Sequence, residues 1–381
     1  ADRRRPAERL RIGYVSADFG DHPTAHLAAA LLERHDRGRC EILAYALNPE
    51  DGSAYRRRIA AASDCFLDAS GMALAELATR IAQDGVDVLV NMNGYTTGHR
   101  TALFAMRPAP VQASYLAYPA TMGAPFMDYL VADPVVIPAA AAGAYSEAIA
   151  WLPVCYQVND ADALLDARPP HASAGLPAAA FVFCDFNQHA KITPAVFAAW
   201  MRILHRVAGS VLWLLDGPGR ANLAAHARAA GIAPERLVFA PRLPRAEHLA
   251  RLQLADLFLD TRPTNAHTTA ADALLAGVPV LTCPAESFAG RVAASLVRAA
   301  ALDALVADDL DAYEAAAVEL AADPARLAGY REHLRSGRRS LAVFDADARA
   351  RELEQAYAEM DSRRRRGLAP ESFRVAPART A

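Results

Sequence analysis

The feature of this sequence that most limits its possible folds is a regular alternation between short apolar segments and helical segments. In the first half, the apolar segments are 11–16 (RIGYVS), 41–47 (EILAYAL), 86–92 (VDVLVNM), 111–116 (VQASYL) and 129–137 (YLVADPVVI). Apolar strands of this length, separated by helices, are typical of a parallel sheet that helices cover on both faces. The first half therefore predicts an α/β domain with a doubly wound sheet.

A second alternating series follows a stretch, 159–177, that is rich in Asp, Pro, His and Ser. Its apolar segments are 181–186 (FVFCDF), 210–216 (SVLWLLD), 256–261 (DLFLDT) and 278–284 (VPVLTCP). A chain of 381 residues is too long for one compact domain and suits two. We predict a first domain over 1–160, a linker over 161–178, a second domain over 179–344, a long helix over 345–362 and a flexible basic tail over 363–381.

Composition excludes several classes of protein. The formal net charge of −3 argues against a dedicated nucleic-acid binder, which would carry a basic excess. No apolar run approaches the roughly 18 residues of a membrane span. The five cysteines are scattered and form no C-x-x-C pair, which is typical of reduced cysteines in a cytoplasmic protein. We therefore expect a cytoplasmic protein that binds neither nucleic acid nor membrane.

Ligands of doubly wound sheets bind outside the carboxyl ends of the strands, so residues that follow strands are the most informative. The segment HTTAAD, 267–272, follows the strand DLFLDT and opens a helix. The free N–H groups and positive end of such a helix favour an anion, to which Thr268 and Thr269 could add hydroxyl donors. Asp272, one turn in, could reach a ribose hydroxyl. Taken alone, however, the segment fits an ordinary helix capped by threonine better.

Lys191 is the only lysine among 40 basic residues, and it follows the strand FVFCDF. An ammonium is a compact charge on a flexible stem, which suits the neutralisation of a developing phosphate charge. Arginine, the basic residue used at all other positions, presents a planar fork instead. The alternative is the chance survival of one surface lysine.

A third cluster follows the first strand, where SADFGDHPTAH places Asp18, His22 and His26 in a loop and a first helical turn. Asp and His at a strand end can transfer protons or orient a hydroxyl. The alternatives are a capping Asp with two ordinary histidines, or a metal site, for which no third ligand is evident. Two Asp-x-Asp strings, 160–162 and 345–347, are interpreted as caps, so no metal ligand is predicted.

Seven separated strings together resemble the catalytic region of the O-GlcNAc transferase family, in the same order and over about 10–355. They are 10–26 (LRIGYVSADFGDHPTAH), 90–96 (VNMNGYT), 104–119 (FAMRPAPVQASYLAYP), 186–192 (FNQHAKI), 210–218 (SVLWLLDGP), 253–261 (QLADLFLDT) and 265–272 (NAHTTAAD). The resemblance implies a GT-B fold: two Rossmann-like lobes face a central cleft, and a C-terminal helix crosses back to the first lobe. It also implies inverting transfer of GlcNAc from UDP-GlcNAc to Ser or Thr, without metal or another cofactor.

The resemblance also assigns residues by their matching positions. Lys191 matches the lysine at the UDP diphosphate, and the other residues on the UDP side are Gln188, Arg245, His248, Arg251, His267, Thr268, Thr269 and Asp272. On the sugar and acceptor side, catalytic roles fall to Asp18 and His22. The remaining residues expected there are Thr24, Tyr95, Thr96, Arg100, Leu116, Ala117, Tyr118 and Pro119.

Some positions depart from the family pattern. Ala117 and Ala120 stand where family members have glycine, which could crowd the sugar pocket, and Arg245 stands where lysine is common. Family members also carry TPR repeats that present protein acceptors, which implies such repeats upstream in a full-length chain. The alternatives left open are a nucleotide-sugar epimerase, a cytoplasmic protein N-glycosyltransferase that uses a UDP-hexose, and a weakly active, UDP-binding interaction protein.

Overall fold

The structure is a computed structural model that describes residues 9–162 and 165–378. The chain divides into two compact units. Unit 1 comprises residues 1–160 together with 344–381, and unit 2 comprises residues 161–343. The stretch expected to be a linker, 161–178, therefore belongs to unit 2, where the Gln253 side chain donates to the Asp166 carbonyl oxygen at 2.9 Å.

Unit 1 contains an eight-stranded parallel sheet in the order β13-β7-β6-β5-β4-β1-β2-β3. Its strands are β1 (Leu10–Ser16), β2 (Cys40–Ala46), β3 (Cys65–Asp68), β4 (Val88–Asn91), β5 (Val111–Ser114), β6 (Tyr129–Ala132), β7 (Ala148–Trp151) and β13 (Phe373–Arg374). β4 is buried along its whole length, as expected for a strand covered on both faces. The predicted α/β class is confirmed for this unit.

The helices of unit 1 are α1 (Pro23–Arg34), α2 (Ala54–Ala61), α3 (Leu74–Gln83), α4 (Ala102–Ala105) and α12 (Ala346–Arg365). α1 begins with a proline, whose fixed φ and missing N–H suit a first helical position. α12 is tied to the unit through Glu354, which accepts hydrogen bonds from the His35 ring and the Asp36 N–H at 2.9 and 2.8 Å. These bonds join residues more than 300 positions apart.

The range predicted as a flexible tail, 363–381, contains regular structure where it is described; residues 379–381 lie outside the described part. α12 continues to Arg365, and β13 pairs in parallel with β7. The arginine run is ordered by nearby carboxylates, because Asp361 forms ion pairs with Arg364 and Arg365 at 2.9 and 2.7 Å. The run of basic residues was therefore interpreted as a solvated tail, although it begins as the end of a helix.

Unit 2 contains a five-stranded parallel sheet in the order β10-β9-β8-β11-β12. Its strands are β8 (Val182–Asp185), β9 (Val211–Leu215), β10 (Leu237–Ala240), β11 (Leu257–Leu259) and β12 (Val280–Leu281). β8 and β9 are fully buried, and the two tryptophans Trp200 and Trp213 fill the core beside them. The prediction of a second doubly wound α/β unit is confirmed.

The helices of unit 2 are α5 (Pro194–Arg206), α6 (Arg220–Ala229), α7 (Arg245–Leu252), α8 (Thr268–Leu275), α9 (Val292–Ala299), α10 (Leu310–Ala322) and α11 (Pro324–Gly337). The sequence did not predict α10 and α11. In α10 the alanines lie on both faces of the helix and hide its apolar period. α10 nevertheless supports the sheet, because Tyr313 accepts from the Trp200 indole and donates to the Asp260 carbonyl oxygen, both at 3.0 Å.

Two further predictions concern cysteines and membranes. All five cysteines are free, and four of them are buried, in agreement with their interpretation as core residues. Within 9–162 and 165–378, no helix has the length and apolar character needed to cross a bilayer.

Candidate functional site

The strand order of unit 2 places a topological switch point between β8 and β11. From β8 the chain proceeds outward to β9 and β10, whereas β11 and β12 are added on the opposite side of β8. Ligands of open α/β sheets bind at the carboxyl end of the strands at such a point. The segments that follow β8 and β11 contain Lys191 and the start of α8, so the two predicted anion-binding elements flank the same crevice.

Lys191 closes a short 3-10 turn, His189–Lys191, that follows β8. Its ammonium donates to the main-chain oxygen of Asn265 at 2.7 Å and lies 3.5 Å from Oδ1 of Asn187. The side chain is half-buried, and burial lowers the pKa of the amine, opposed by the charges of Asp260 and Asp185. Protein oxygens therefore hold the side chain in place, and it is not a freely exposed surface lysine.

Asn187 connects this ammonium to the start of α8. Its Oδ1 also accepts a hydrogen bond from the Thr269 hydroxyl at 2.8 Å, so the two groups share one acceptor. The cap position of α8 is His267, not a threonine, and the ordinary threonine-capped helix is therefore not what forms. Thr268 and Thr269 are the first two helical residues, with N–H groups at the positive end of the helix.

Two buried carboxyl groups lie at the carboxyl ends of the same strands. Asp185 ends β8 and accepts from the Asn187 amide at 2.7 Å, while its second oxygen has no hydrogen-bond partner among the described residues. Asp260 follows β11 and accepts from the Ala266 and Thr261 N–H groups, at 2.6 and 2.8 Å. Burial raises the pKa of each to about 7; the charge of Asp260 adds to the shift of Asp185, and Lys191 opposes both shifts.

Asp185→Asn is expected to gain stability relative to the parent chain as the pH rises from about 4 to about 7. A carboxyl whose pKa is higher in the folded than in the unfolded state loses its stabilising contribution as pH rises through the folded value. The variant has no carboxyl at this position, so its free energy of unfolding does not fall in this way as the pH rises. Urea unfolding of both proteins at several pH values measures the difference, and a difference that is flat with pH would contradict the prediction.

His267, the cap residue of α8, does not add positive charge to the crevice. Its ring Nε2 lies 3.1 Å from the Ala289 carbonyl oxygen, so this nitrogen carries the proton. Burial, with the neighbouring Lys191 charge, lowers the pKa of the ring to about 3. The imidazole is therefore neutral at physiological pH, and Lys191 is the full positive charge that lies beside the start of α8.

Arg245 and Asp272 form an ion pair across α7 and α8, with 3.1 Å between Nη2 and Oδ1. Both side chains are nearly buried, and burial raises the pKa of Asp272 while the guanidinium opposes the shift. Two residues expected on the UDP side are thus brought together. The pair uses one of about four lone-pair sites of the Asp272 carboxylate, which can therefore accept a further donor such as a sugar hydroxyl.

His248 and Arg251 form an aromatic and cationic cluster on α7. The guanidinium donates to Nδ1 of His248 at 3.1 Å and lies over the Phe186 ring, 4.8 Å from its centroid. Burial and the adjacent arginine lower the pKa of His248 to about 3. A cavity of about 500 Å³ lies beside this cluster. Apolar residues such as Pro241 and Leu243 line it, together with the charged side chains of Asp166, Glu247 and Arg251.

Gln188 is placed differently from the other residues predicted on the UDP side. Its side chain is exposed, and its main-chain oxygen accepts from the Lys191 N–H at 2.9 Å. It thereby helps to form the turn that presents Lys191.

In unit 1 the switch point lies between β1 and β4, and a second polar cluster follows these strands. Oδ2 of Asp18 accepts from the Asn93 amide at 2.8 Å and from the Thr24 hydroxyl at 3.3 Å. Burial raises the pKa of Asp18, whereas His22 and the two donors oppose this. A raised pKa makes the carboxylate a stronger base, as proton abstraction requires.

His22 is the cap residue of α1, and its Nδ1 accepts from the Thr24 N–H at 3.2 Å. The same nitrogen lies 3.7 Å from Oδ1 of Asp18. A neutral ring that accepts at Nδ1 carries its proton at Nε2, so it presents a donor there. His22, which was expected to transfer a proton or orient a hydroxyl, is thus a helix cap beside a carboxylate. His26 instead binds Asp21, at 2.9 Å.

Tyr95 and Thr96 adjoin the Asp18 cluster through Asn93. Thr96 donates to the Asn93 carbonyl oxygen at 2.9 Å, and Tyr95 packs edge-on against Tyr118, with centroids 5.5 Å apart. Gly94 permits this packing, because it has φ +55° and an added Cβ would meet Tyr118 at 2.3 Å. Tyr95 is 44% exposed and so offers an open aromatic surface.

Arg100 is placed differently from the other residues expected on the sugar and acceptor side. The Arg100 guanidinium donates to three main-chain oxygens, of Ala69, Ser70 and Met72, at 2.6–3.1 Å. It therefore holds the loop after β3. Leu116 is buried with φ +83°, while Ala117, Tyr118 and Pro119 are partly exposed.

Sequence reasoning missed the residues that join these groups: Asn93, Asp185, Asn187, Asp260 and Asn265. Each lies within a few positions of the carboxyl end of a strand. That position is the signal by which the sequence could have identified them.

Metal sites were also predicted to be absent. Among the described residues, no group of three or more His, Cys, Asp or Glu side chains is arranged to hold a metal ion. Of the Asp-x-Asp strings, Asp345 caps α12 as predicted, whereas Asp160 forms an ion pair with Arg58 at 3.1 Å.

Known proteins resemble this chain over almost its whole length. An Arabidopsis thaliana protein named as a probable UDP-N-acetylglucosamine–peptide N-acetylglucosaminyltransferase, SEC, is 41% identical over 97% of this chain and 39% of its own length. The UDP-N-acetylglucosamine–peptide N-acetylglucosaminyltransferase of Caenorhabditis elegans is 32% identical over 95% of this chain and 41% of its own length. The chain thus spans about two fifths of the curated relatives it matches.

A solved structure agrees with these relatives. A mutant of Thermobaculum terrenum O-GlcNAc transferase has a TM-score of 0.86 and 35% identity to this chain, covering 94% of this chain and 68% of its own. The profile of the family described as glycosyl transferase family 41 matches residues 1–172 and 168–353. The chain therefore has the GT-B fold and belongs to glycosyltransferase family 41.

Proposed function

We propose that this chain is the catalytic region of an inverting, metal-independent glycosyltransferase that moves GlcNAc from UDP-GlcNAc to Ser or Thr hydroxyls of proteins. The observation that carries the proposal is the shared hydrogen-bond acceptor of Lys191 and Thr269 at the switch point of unit 2. Membership of glycosyltransferase family 41 supports the class of reaction. The names of the relatives support the sugar and the protein acceptor.

Unit 2 binds the UDP part of the donor in this proposal. The Lys191 ammonium and the N–H groups at the start of α8 receive the diphosphate, whose negative charge increases as the sugar leaves. His267 is neutral and adds no charge, because its one ring proton is already donated from Nε2 to the Ala289 carbonyl oxygen. The surfaces around His248, Arg251 and Trp213 receive the uracil, and Asp272 receives a ribose hydroxyl. Charge supplied in this way takes the place of a divalent cation.

Unit 1 supplies the base. The acceptor hydroxyl oxygen attacks the anomeric carbon, the bond from that carbon to the diphosphate oxygen breaks, and its electron pair leaves with UDP. Asp18 takes the proton of the hydroxyl, directly or through one water. His22 presents a donor at Nε2, so it orients a sugar or acceptor oxygen and does not accept the proton. The exposed face of Tyr95 lies beside this cluster and contacts the sugar or the acceptor chain.

The test is a transfer reaction with UDP-GlcNAc, a peptide mixture and EDTA, with modified side chains identified by mass spectrometry. We expect GlcNAc on Ser and Thr and no effect of EDTA. Asp18→Asn is expected to lower turnover by about 10²–10⁴-fold while UDP affinity stays within about twofold, because the base does not contact UDP. Arg228→Ala, exposed on α6, is the control.

The other outcomes identify the alternatives. A hexose on Asn would indicate an N-glycosyltransferase, and an isomerised sugar nucleotide without acceptor would indicate an epimerase. Binding of UDP without any turnover would indicate an interaction protein. Each of these results, like inhibition by EDTA, would contradict the proposal.

A further inference from the structure

Asn187 is a buried amide whose orientation is fixed from both ends. It is 3% exposed. Its Oδ1 faces two donors, the Lys191 ammonium at 3.5 Å and the Thr269 hydroxyl at 2.8 Å. Its Nδ2 donates to Oδ1 of Asp185 at 2.7 Å and to the Thr261 hydroxyl at 3.3 Å. A reversed amide would place its N–H groups against the Lys191 ammonium and its oxygen against Oδ1 of Asp185, so only this orientation satisfies the site.

The groups in direct contact with the ammonium are uncharged. They are the amide oxygen of Asn187 and the main-chain oxygen of Asn265. Within residues 9–162 and 165–378, Lys191 forms no ion pair with a carboxylate. The negative charge that acts on it comes from the pair Asp185 and Asp260, which influences the amine without an ion pair. The amide therefore separates the ammonium from the buried carboxyl of Asp185.

We propose that Asn187 is a positioning residue: its neutral amide holds the Lys191 ammonium and the Thr269 hydroxyl at one point and keeps the ammonium free of a carboxylate partner. The positive charge then remains available to the negatively charged diphosphate. This inference rests on the proposed function, because the diphosphate site is the one defined there. It adds that the neutrality of Asn187, and not only its hydrogen bonds, sets the affinity for UDP.

Asn187→Asp separates these two properties, because aspartate has nearly the same shape and keeps the acceptor for Lys191 and Thr269. The new carboxylate would form a direct ion pair with the ammonium and would face Asp185 without the bridging N–H. We expect the Kd for UDP at pH 8 to rise at least about tenfold, since a neutralised ammonium attracts the diphosphate less.

The dependence of this loss on pH distinguishes charge from damage to the fold. As the pH falls, the carboxylate introduced by Asn187→Asp takes up a proton and again resembles the neutral amide. We expect the ratio of the variant's Kd to that of the parent chain to fall towards one as the pH is lowered through the pKa of the new carboxyl, which burial and Asp185 raise and the Lys191 ammonium lowers. Using the ratio removes changes common to both proteins, which arise from UDP itself and from Asp185, Asp260, His267 and Lys191. If the weaker binding came from a structural defect, the ratio of the two Kd values would not change with pH.

The single lysine gives a direct spectroscopic readout. Lysine labelled with ¹³C at Cε yields one side-chain resonance from this chain, because Lys191 is the only lysine. Its chemical shift followed with pH reports the pKa of the amine. We expect Asn187→Asp to raise that pKa by about 1–3 units, as an adjacent opposite charge does. An unchanged pKa would overturn the inference.

A charge-swapped variant distinguishes an effect of charge on UDP binding from an effect of misfolding. Asp185→Asn combined with Asn187→Asp keeps the net charge and a donor–acceptor pair between the two positions, but it moves the carboxylate into contact with Lys191. We expect this double variant to unfold at nearly the parent temperature and still to bind UDP at least about tenfold more weakly at pH 8. If it binds UDP as the parent chain does, the inference is wrong. If the parent chain itself binds no UDP, it is the proposed function that fails.

Discussion

Lys191→Ala is expected to lower the rate of GlcNAc transfer by about 10²–10³-fold and to leave the chain folded. The ammonium is the full positive charge beside the start of α8, because the pKa of His267 is lowered to about 3 and Arg245 is paired with Asp272. Single-turnover kinetics with UDP-GlcNAc and a peptide acceptor measure the loss, and circular dichroism checks the fold.

Lys191→Arg is the informative comparison. It keeps the charge but replaces the compact ammonium by a planar fork, which cannot occupy the space between the Asn265 and Asn187 oxygens in the same way. We expect activity closer to that of the alanine variant than to that of the parent chain. Arg228→Ala serves as the control for loss of a surface charge, and near-normal turnover of Lys191→Ala would contradict the assignment.

Chemical labelling tests the same assignment without an activity assay. Pyridoxal 5′-phosphate, followed by borohydride reduction, can modify only the terminal amine and Lys191, because the chain has one lysine. The phosphate of the reagent and the lowered pKa of the amine favour reaction at Lys191. We expect UDP to protect Lys191 and not the terminal amine. Labelling of Lys191 that is insensitive to UDP would place the diphosphate elsewhere.

Asp260→Ala is expected to lower the free energy of unfolding of unit 2 by about 3–5 kcal/mol and to abolish UDP binding. Asp260 accepts from the N–H groups of Thr261 and Ala266 and from the Thr282 hydroxyl, at 2.6–2.8 Å. Alanine leaves all three donors buried without an acceptor. These bonds also shape the loop 261–266, whose Asn265 carbonyl receives Lys191.

Asp260→Asn is the matched control, because its amide can keep an acceptor for the two N–H groups and donate to Thr282. It is expected to retain most of the stability that alanine loses. Denaturant unfolding and UDP titration of both variants measure the difference. Equal stability of the alanine variant and the parent chain would show that the three bonds do not hold the loop.

Part of this organisation could be predicted from particular residues. The strands 11–16 and 181–186 were recognised because apolar runs in a strand–helix alternation indicate a buried parallel sheet. Lys191 and the helix start at Thr268 were selected because they follow such strands. The helices α10 and α11 were missed, since alanine on both faces of α10 and the weak apolar stripe of α11 remove the period on which recognition depends.

Other features depended on contacts between distant residues. The strand β13 forms because it pairs with β7, more than 200 positions away in the sequence. The local composition of this part of the chain suggested only a loose, basic end. Arg100 was expected at the sugar side from its position in a motif, but its guanidinium is satisfied by three carbonyls of another loop. Neither partner could be identified from spacing along the chain.

The sequence by itself determined the α/β class, the two alternating series and the strand ends at which chemistry was to be expected, because these follow from local apolar patterns and from the rule that ligands bind at the carboxyl ends of strands. Only the tertiary structure decided which strands are neighbours, and so which side chains meet. Lys191 and Thr269 are 78 positions apart in the sequence, yet both bind Oδ1 of Asn187. Local propensity carries no information on such a pairing, because it is the packing of β11 beside β8 that brings the two ends together.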